Sequence, residues 1–398
     1  MEEKGALKIC LVTWEYPPRI VGGIARYSRG LARALAARGN EVHVVTLDFP
    51  GSPSYELDGQ ANIHRVRCEV GNPNFLVWVF LFNHFFEKKI GELNRKTGGF
   101  DVIHMNDWMT APVAVAAKHT LEKALVATVH STEMGRSQGI HSPDSHTIHG
   151  MEWWLTYEAS RVIVCSKSMM DEVSQGFNLP TEKLDTVKNA IDVGKFKQHV
   201  DREAVRPRFG LSSNDEVVLF VGRLTPQKGL DYLIRAIPIV ASRHRRVRLL
   251  IVGDGWMRTE LEQTASALPD RWRFIFAGHI PDDRLPEAIG CADVFVVPSV
   301  YEPFGITALE GMAAGVPVVV SKVGGLAEIV EHDRTGVHVY PRDSGSIAWG
   351  IDRVLSDRSY VERLVHNARE VVQNTYTWEG VADRTLRVYE RAVEAAMR

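Results

Sequence analysis

Two glutamates eight residues apart, Glu302 and Glu310, bracket the run EPFGITALE in the second half of a 398-residue chain. Pro303 and Gly305 disfavour helix across 303–305, whereas ITALEGMAAG has helical character and meets stop signals at Gly315 and Pro317. Glu302 is therefore expected in a loop and Glu310 about one turn inside a helix. The amides of Gly305, Ile306 and Thr307 at that helix start lack intrahelical acceptors and can meet a phosphate. An ionised carboxylate only accepts hydrogen bonds, so beside a phosphate Glu302 could serve sugar hydroxyls and Glu310 a ribose diol. In isolation the plainer explanation is a carboxylate favoured by the helix dipole and a solvent-facing helix glutamate. The surrounding residues decide.

FVGRLTPQKGLDYL sets Arg223 and Lys228 five residues apart in a loop between a strand and a helix. Two such cations can neutralise a diphosphate, the guanidinium by forked hydrogen bonds and the ammonium as a point charge. A solvated charged loop is the alternative. No D-x-D motif occurs in the chain, which removes the usual sequence hint of a metal-held diphosphate and leaves the cations in its place. Near the start, strand KICLVTWEYPP leads through Gly22 and Gly23 into IARYSRGLARALAARG, where Ile24, Tyr27, Leu31 and Leu35 recur at helical spacing. Glycines before a helix let an anion approach its free amides, although a tight packing turn uses the same residues.

The elements that must position these groups alternate along nearly the whole chain. β-branched runs and helix-period runs succeed one another, the signature of parallel sheets covered by helices. Candidate strands in the first half are KICLVTWEY, EVHVVTL, FDVIHM, LVATVH, RVIVCS and DTVKNAI; in the second, EVVLFVG, RLLIVG, RFIFAG, DVFVVPS, VPVVVSK and GVHVY. A polar stretch separates the halves, with the boundary placed near residue 200. Asp107, His130 and Asn189 follow strands of the first half, and Arg223, Gly253, Gly278 and Glu302 follow strands of the second. Open α/β sheets bind ligands beyond the carboxyl ends of their strands, so these residues could line one cleft between two domains.

Composition narrows the partners. Forty-seven Lys and Arg against 49 Asp and Glu give a formal net charge of -2, without the basic excess of a nucleic-acid binder. Cys10, Cys68, Cys165 and Cys291 show no C-x-x-C spacing, and MEEKGALKIC has no secretory pattern; a reducing cytoplasm is expected. FLVWVFLFNHFF, residues 75–86, is too short to span a bilayer, which takes about 20 apolar residues. It reads as a core helix, and peripheral membrane contact is not expected. His141, His146 and His149 lack metal-ligand spacing, and their Gly/Ser/His-rich segment is expected to be a mobile loop. Trp153 and Trp154 are assigned to the core of a following helix. An adjacent Gly22-Gly23 pair is not the G-x-G-x-x-G of a dinucleotide dehydrogenase.

With these motifs in order, EPFGITALE resembles the E-x7-E motif of retaining GT-B glycosyltransferases, in particular glycosyltransferase family 4 and the related glycogen synthases. EYPPRIVGGIARY, HMNDW, VHSTE, KNAIDVGKF, VGRLTPQKG, VGDG, AGHI and VGGLAEIV extend the resemblance over almost the whole chain. It implies two Rossmann-like domains, residues 1–200 and 201–377, facing each other across a cleft, with residues 378–398 crossing back as a helix onto the first. Arg223 and Lys228 match the cations on the donor diphosphate, Glu302 the sugar ligand and Glu310 the ribose ligand. Gly22, Gly23 and Gly253 fall in phosphate-side and nucleotide-side loops, and Gly305, Ile306 and Thr307 at the anion-binding helix start. Gly278, His279 and Ile280 match the base-binding loop. His130 matches the histidine near the anomeric centre, and Asp107 an aspartate on the sugar and acceptor side.

The resemblance implies transfer from a nucleotide-diphosphate sugar with retention, with no metal and no cofactor beyond the donor. A glucosyl donor, ADP-glucose or UDP-glucose, and an α-glucan or small glucose-type acceptor are expected. GDP-mannose-dependent mannosyl transfer and a non-hydrolysing UDP-sugar epimerase are the alternatives. Three departures bear on acceptor and nucleotide: Ile20 where bacterial glycogen synthases carry lysine, Asn106 in place of the second histidine of H-x-H-D-W, and Ala190 in NAID.

Overall fold

The computed structural model describes residues 5–68, 70, 74–197 and 200–396. The chain divides into two compact units, Met1–Ala190 with Trp378–Arg398, and Ile191–Thr377. The division precedes the boundary read near residue 200 because the turn Val193–Phe196 packs on helix Ile306–Ala314, and Ile191 donates its amide to Tyr376 O.

The first unit holds an eight-stranded sheet of β1 (Lys8–Val12), β2 (Glu41–Leu47), β3 (Tyr55–Asp58), β4 (Ala61–Val66), β5 (Val102–Asn106), β6 (Ala124–Val129), β7 (Arg161–Val164) and β8 (Leu184–Thr186). Their order is β3-β4-β2-β1-β5-β6-β7-β8. Leu11 on β1 stands opposite Val44 on β2 and His104 on β5 in parallel register. Only β3 runs antiparallel, paired to β4 across a turn at Gly59 (φ +64°). The strands read from sequence lack this edge hairpin, whose four-residue β3 buries little and so carries weak alternation.

Helix Gly23–Ala36 buries Tyr27, Leu31 and Leu35 against this sheet. The last helix, Trp378–Ala396, returns to the first unit and packs on it, burying Val381, Val388 and Tyr389. Gly30 is what permits the approach: a Cβ there would lie 2.2 Å from two Trp378 ring carbons. Helix Phe75–Thr97 buries Val79, Phe82, Phe86, Ile90 and Leu93, as a core helix should, but its first two turns leave Phe75, Val77 and Phe80 exposed. Among the described residues no helix is long and apolar enough to cross a membrane.

The second unit is a six-stranded, wholly parallel sheet of β9 (Glu216–Val221), β10 (Val247–Val252), β11 (Phe274–Gly278), β12 (Val294–Val297), β13 (Val318–Ser321) and β14 (Val337–Val339), ordered β11-β10-β9-β12-β13-β14. Each strand expected there from its β-branched run is present. Strands such as Val294–Val297 are buried on both faces, which is why they read as continuous apolar runs. At the carboxyl edge the backbones close up tightly. A Cβ on Gly253 (φ +130°) would meet Gly222 O at 1.9 Å, and one on Gly229 would meet Pro298 O at 2.2 Å.

The Gly/Ser/His-rich segment expected as a loop is mostly helical. Helix Glu133–Ser137 is capped by Thr132, and helix Pro143–Glu158 starts on a Ser142 cap with proline in its first turn. Trp153 is not core: it is exposed and stacks on Tyr157 one turn away, with ring centroids 5.2 Å apart.

Candidate active site

In the second unit, Lys228 and Glu302 come together from loops 74 positions apart. Lys228 follows β9 and Glu302 follows β12, the neighbouring strand. Gln227 O accepts the amides of Val300 (2.8 Å) and Tyr301 (3.3 Å), which fastens one loop to the other. Lys228 Nζ then lies 2.7 Å from Glu302 Oε2, and Ser299 Oγ donates to the same oxygen at 3.1 Å. Glu302 is buried and lies in the loop, as its proline and glycine neighbours require. Arg223, on the same β9 loop, is exposed and has no side-chain partner among the described residues. Lys228 thus orders a carboxylate with one of its three N–H donors, and Arg223 is available to an anion.

Helix Ile306–Ala314 begins directly after Gly305, whose φ of +113° suits glycine, and ends at Gly315 (φ +74°). A Cβ on Gly305 would stand 2.5 Å from Leu326 Cδ2, so both backbone angle and space demand glycine here. The amides of Ile306 and Thr307 belong to the unpaired first turn. Glu310 is buried on this helix and is not the solvent-facing residue of the plainer reading. Gly253 donates to Gly278 O at 2.8 Å, which joins the β10 and β11 loops; His279 and Ile280 continue from Gly278.

The glycine pair of the first unit is partly occupied. Glu15, itself buried, accepts the amides of Val21 (2.6 Å) and Gly22 (2.9 Å) through Oε2. A side-chain carboxylate therefore takes the Gly22 amide expected for a phosphate, while Gly23 opens the helix outside that contact. Arg19 does not supply the missing lysine: its guanidinium donates to Asp48 O at 3.0 and 2.7 Å, and Ile20 is exposed.

Asp107 and His130 do meet. Asp107 follows β5 and His130 follows the adjacent β6; His130 N–H donates to Asp107 Oδ1 at 2.8 Å. Asp107 has φ 59° and ψ 171°, a conformation that costs a non-glycine residue on the order of 1–3 kcal/mol. Its own amide bonds Thr128 O, and its carbonyl accepts from Thr110 N and Oγ1, so the strain is held from three sides. Burial pushes the Asp107 carboxyl up to about 6, against the lowering effects of the His130 amide and the Arg136 charge.

Asn106 defines the state of His130. Asn106 Nδ2 donates to Val12 O at 3.2 Å, so its Oδ1 is the atom 3.1 Å from His130 Nε2. His130 Nε2 must carry the proton, and Nδ1 is left as an acceptor. Burial pulls the imidazole down to about 3, so the ring is neutral at ordinary pH. Tyr27 holds it edge to face at 4.6 Å. Behind lies a chain invisible to local sequence reading: His104 contacts Tyr389 OH at 2.6 Å and Thr128 Oγ1 at 2.7 Å.

Below His130, Arg136 contacts Glu133 Oε2 and Glu152 Oε1, each at 3.0 Å, and Glu152 also accepts the Glu133 amide. Burial pushes the Glu152 carboxyl up to about 8 despite Arg136. The only sequence signal for this cluster is VHSTE, which carries Glu133 but neither Arg136 nor Glu152. His141, one of the loop histidines, is bonded to Ser137 O and Gln138 O at the end of the short helix.

The chain is similar to known glycosyltransferases over nearly its whole length. The model described as Glycosyltransferase Family 4 matches residues 21–195, and that described as Glycosyl transferases group 1 matches residues 201–371. The chain is 46% identical to an uncharacterized glycosyltransferase of Methanocaldococcus jannaschii over 98% of this chain and 99% of the relative. It is 33% identical to the glycogen synthase of Mycobacterium tuberculosis over 96% and 94%. The solved sucrose-phosphate synthase from Thermosynechococcus elongatus superposes with a TM-score of 0.82 at 26% identity, covering 98% of this chain and all of that one.

Proposed function

Because the chain belongs to the glycosyltransferases of family 4, we propose that it moves a glucosyl group from ADP-glucose or UDP-glucose onto an α-glucan or a small glucose-type acceptor, with retention and without metal. The observation that carries this reading is the ion pair of Lys228 with Glu302 across the joined β9 and β12 loops, just before the start of helix Ile306–Ala314, with Arg223 on the same β9 loop. The identity with a glycogen synthase supports the choice of glucose and glucan.

The chemistry asked of these residues is stabilisation of a departing diphosphate. Arg223 offers a forked pair of donors, Lys228 a point charge, and the amides of Ile306 and Thr307 a fixed dipole end. Such groups act where charge develops and need no reorganisation at the moment of bond breaking. Glu302, held by Lys228 and Ser299, orients hydroxyls of the transferred sugar, and Glu310 takes the ribose. In the first unit His130 Nδ1 accepts from a sugar hydroxyl, and Asp107 orients the acceptor. The acceptor hydroxyl attacks the anomeric carbon on the face the diphosphate leaves; the C–O bond to phosphate breaks, and the departing phosphate oxygen takes the hydroxyl proton.

The test is turnover of ADP-glucose, UDP-glucose, UDP-GlcNAc and GDP-mannose against glycogen, maltotetraose and glucose 1-phosphate, with and without EDTA. Proton NMR of the product gives the anomer. An α-glucoside formed equally well in EDTA is expected. Exclusive use of GDP-mannose would replace glucosyl by mannosyl transfer, and a β-anomer would remove the retaining mechanism.

A further inference from the structure

We propose that Trp256 is the stacking platform for the nucleobase of the donor, and that it favours a purine over a pyrimidine; this rests on the reading of the β9 and β12 loops as the diphosphate site. Trp256 lies four residues beyond β10 and two before helix Arg258–Ser266. Its indole is 73% exposed, the most exposed large apolar side chain among the described residues.

The backbone beneath it is nevertheless fixed to the cation loop. Leu224 N donates to Asp254 O at 2.9 Å, and Met257 N donates to Leu224 O at 3.2 Å. Between them, a Cβ on Gly255 would fall 2.5 Å from Leu224 O, so the two loops lie in direct contact. Trp256 therefore sits on backbone anchored to Leu224, in the loop that carries Arg223, with its side chain exposed.

The strand order gives the direction of the nucleoside. Neighbouring strands lie about 4.8 Å apart, so from a diphosphate at β9 and β12 the base has two ways to run along the sheet edge. Towards β13 the way is filled: Gly325 N donates to Glu302 O, and Cβ atoms on Gly324 and Gly325 would fall 2.2 Å from Glu302 O and 2.4 Å from Phe304 Cα. Towards β10 and β11 lie Trp256 and the loop from Gly278, tied together through Gly253. An aromatic face there takes any base, and the larger purine covers more of it.

Titration calorimetry with ADP, UDP and inorganic pyrophosphate on the wild type, Trp256→Ala and Trp256→Phe tests this. An exposed side chain can be truncated with little effect on folding. The wild type is expected to bind ADP more tightly than UDP. Trp256→Ala is expected to weaken ADP about 10-fold, UDP less, and pyrophosphate not at all, while Trp256→Phe keeps most of the affinity. Unchanged ADP binding in Trp256→Ala, or an equal loss for pyrophosphate, would overturn the stacking role while leaving the diphosphate site standing. Failure of the wild type to bind any of the three would overturn the diphosphate site and this proposal together.

Discussion

Lys228 Nζ stands 2.7 Å from Glu302 Oε2, and both side chains are largely withdrawn from solvent. The pair bridges the loops that follow two adjacent strands, β9 and β12. A double-mutant cycle with Lys228→Met and Glu302→Gln, read by urea unfolding, is expected to give a coupling of about 1–2 kcal/mol, above that of an exposed pair. Additive effects would show that the contact contributes nothing to order.

Asp107 makes the stability of the first unit depend on pH. Its carboxyl titrates at about 6 in the folded chain against an ordinary value of 3.8, chiefly through burial. For a group with a raised folded pKa, the favourable contribution is full below about pH 4 and is lost as pH rises through 6. Asp107→Asn removes that titration. The stability difference between variant and wild type should move in favour of the variant by about 2.5 kcal/mol between pH 4 and pH 8. A flat difference across that range would contradict the burial argument.

Much of this arrangement was legible because its signals are local. The second sheet shows in its β-branched runs, and Gly305, Gly315 and Pro317 bound the Glu310 helix in the sequence itself. What escaped depends on contacts between distant positions. Nothing near Gly22 shows that Glu15 occupies its amide, and nothing near Arg19 shows that Asp48 O holds it. Trp153 looked like core because it is large and apolar, yet its partner is Tyr157 one turn on, and the two share an exposed face.

Gly30 sets two opposed effects against each other. Alanine in a helix interior is worth about 1 kcal/mol over glycine, but its Cβ would enter the Trp378 ring at 2.2 Å. Overpacking of that kind costs about 1–3 kcal/mol, so Gly30→Ala is expected to lower the melting temperature. Adding Trp378→Ala should abolish the penalty of the alanine, and a stabilised single variant would contradict the packing.

Tyr389 and His104 are both fully buried, with Tyr389 OH 2.6 Å from His104 Nδ1. Tyr389→Phe leaves that nitrogen without its partner at a cost of about 1–3 kcal/mol. Burial pulls His104 down to about 3, so the ring stays neutral above that range and the loss should be the same at pH 6 and pH 8. A loss that vanished at either pH would point to an ionised histidine instead.

The proposed stabilisation of the leaving diphosphate by Arg223 and Lys228 is read from single-turnover rates at saturating donor. Loss of one preorganised donor costs about 3–4 kcal/mol in the transition state. Arg223→Ala and Lys228→Ala should therefore each lower the rate by about 100-fold or more. Rates within a few-fold of the wild type in both variants would contradict it.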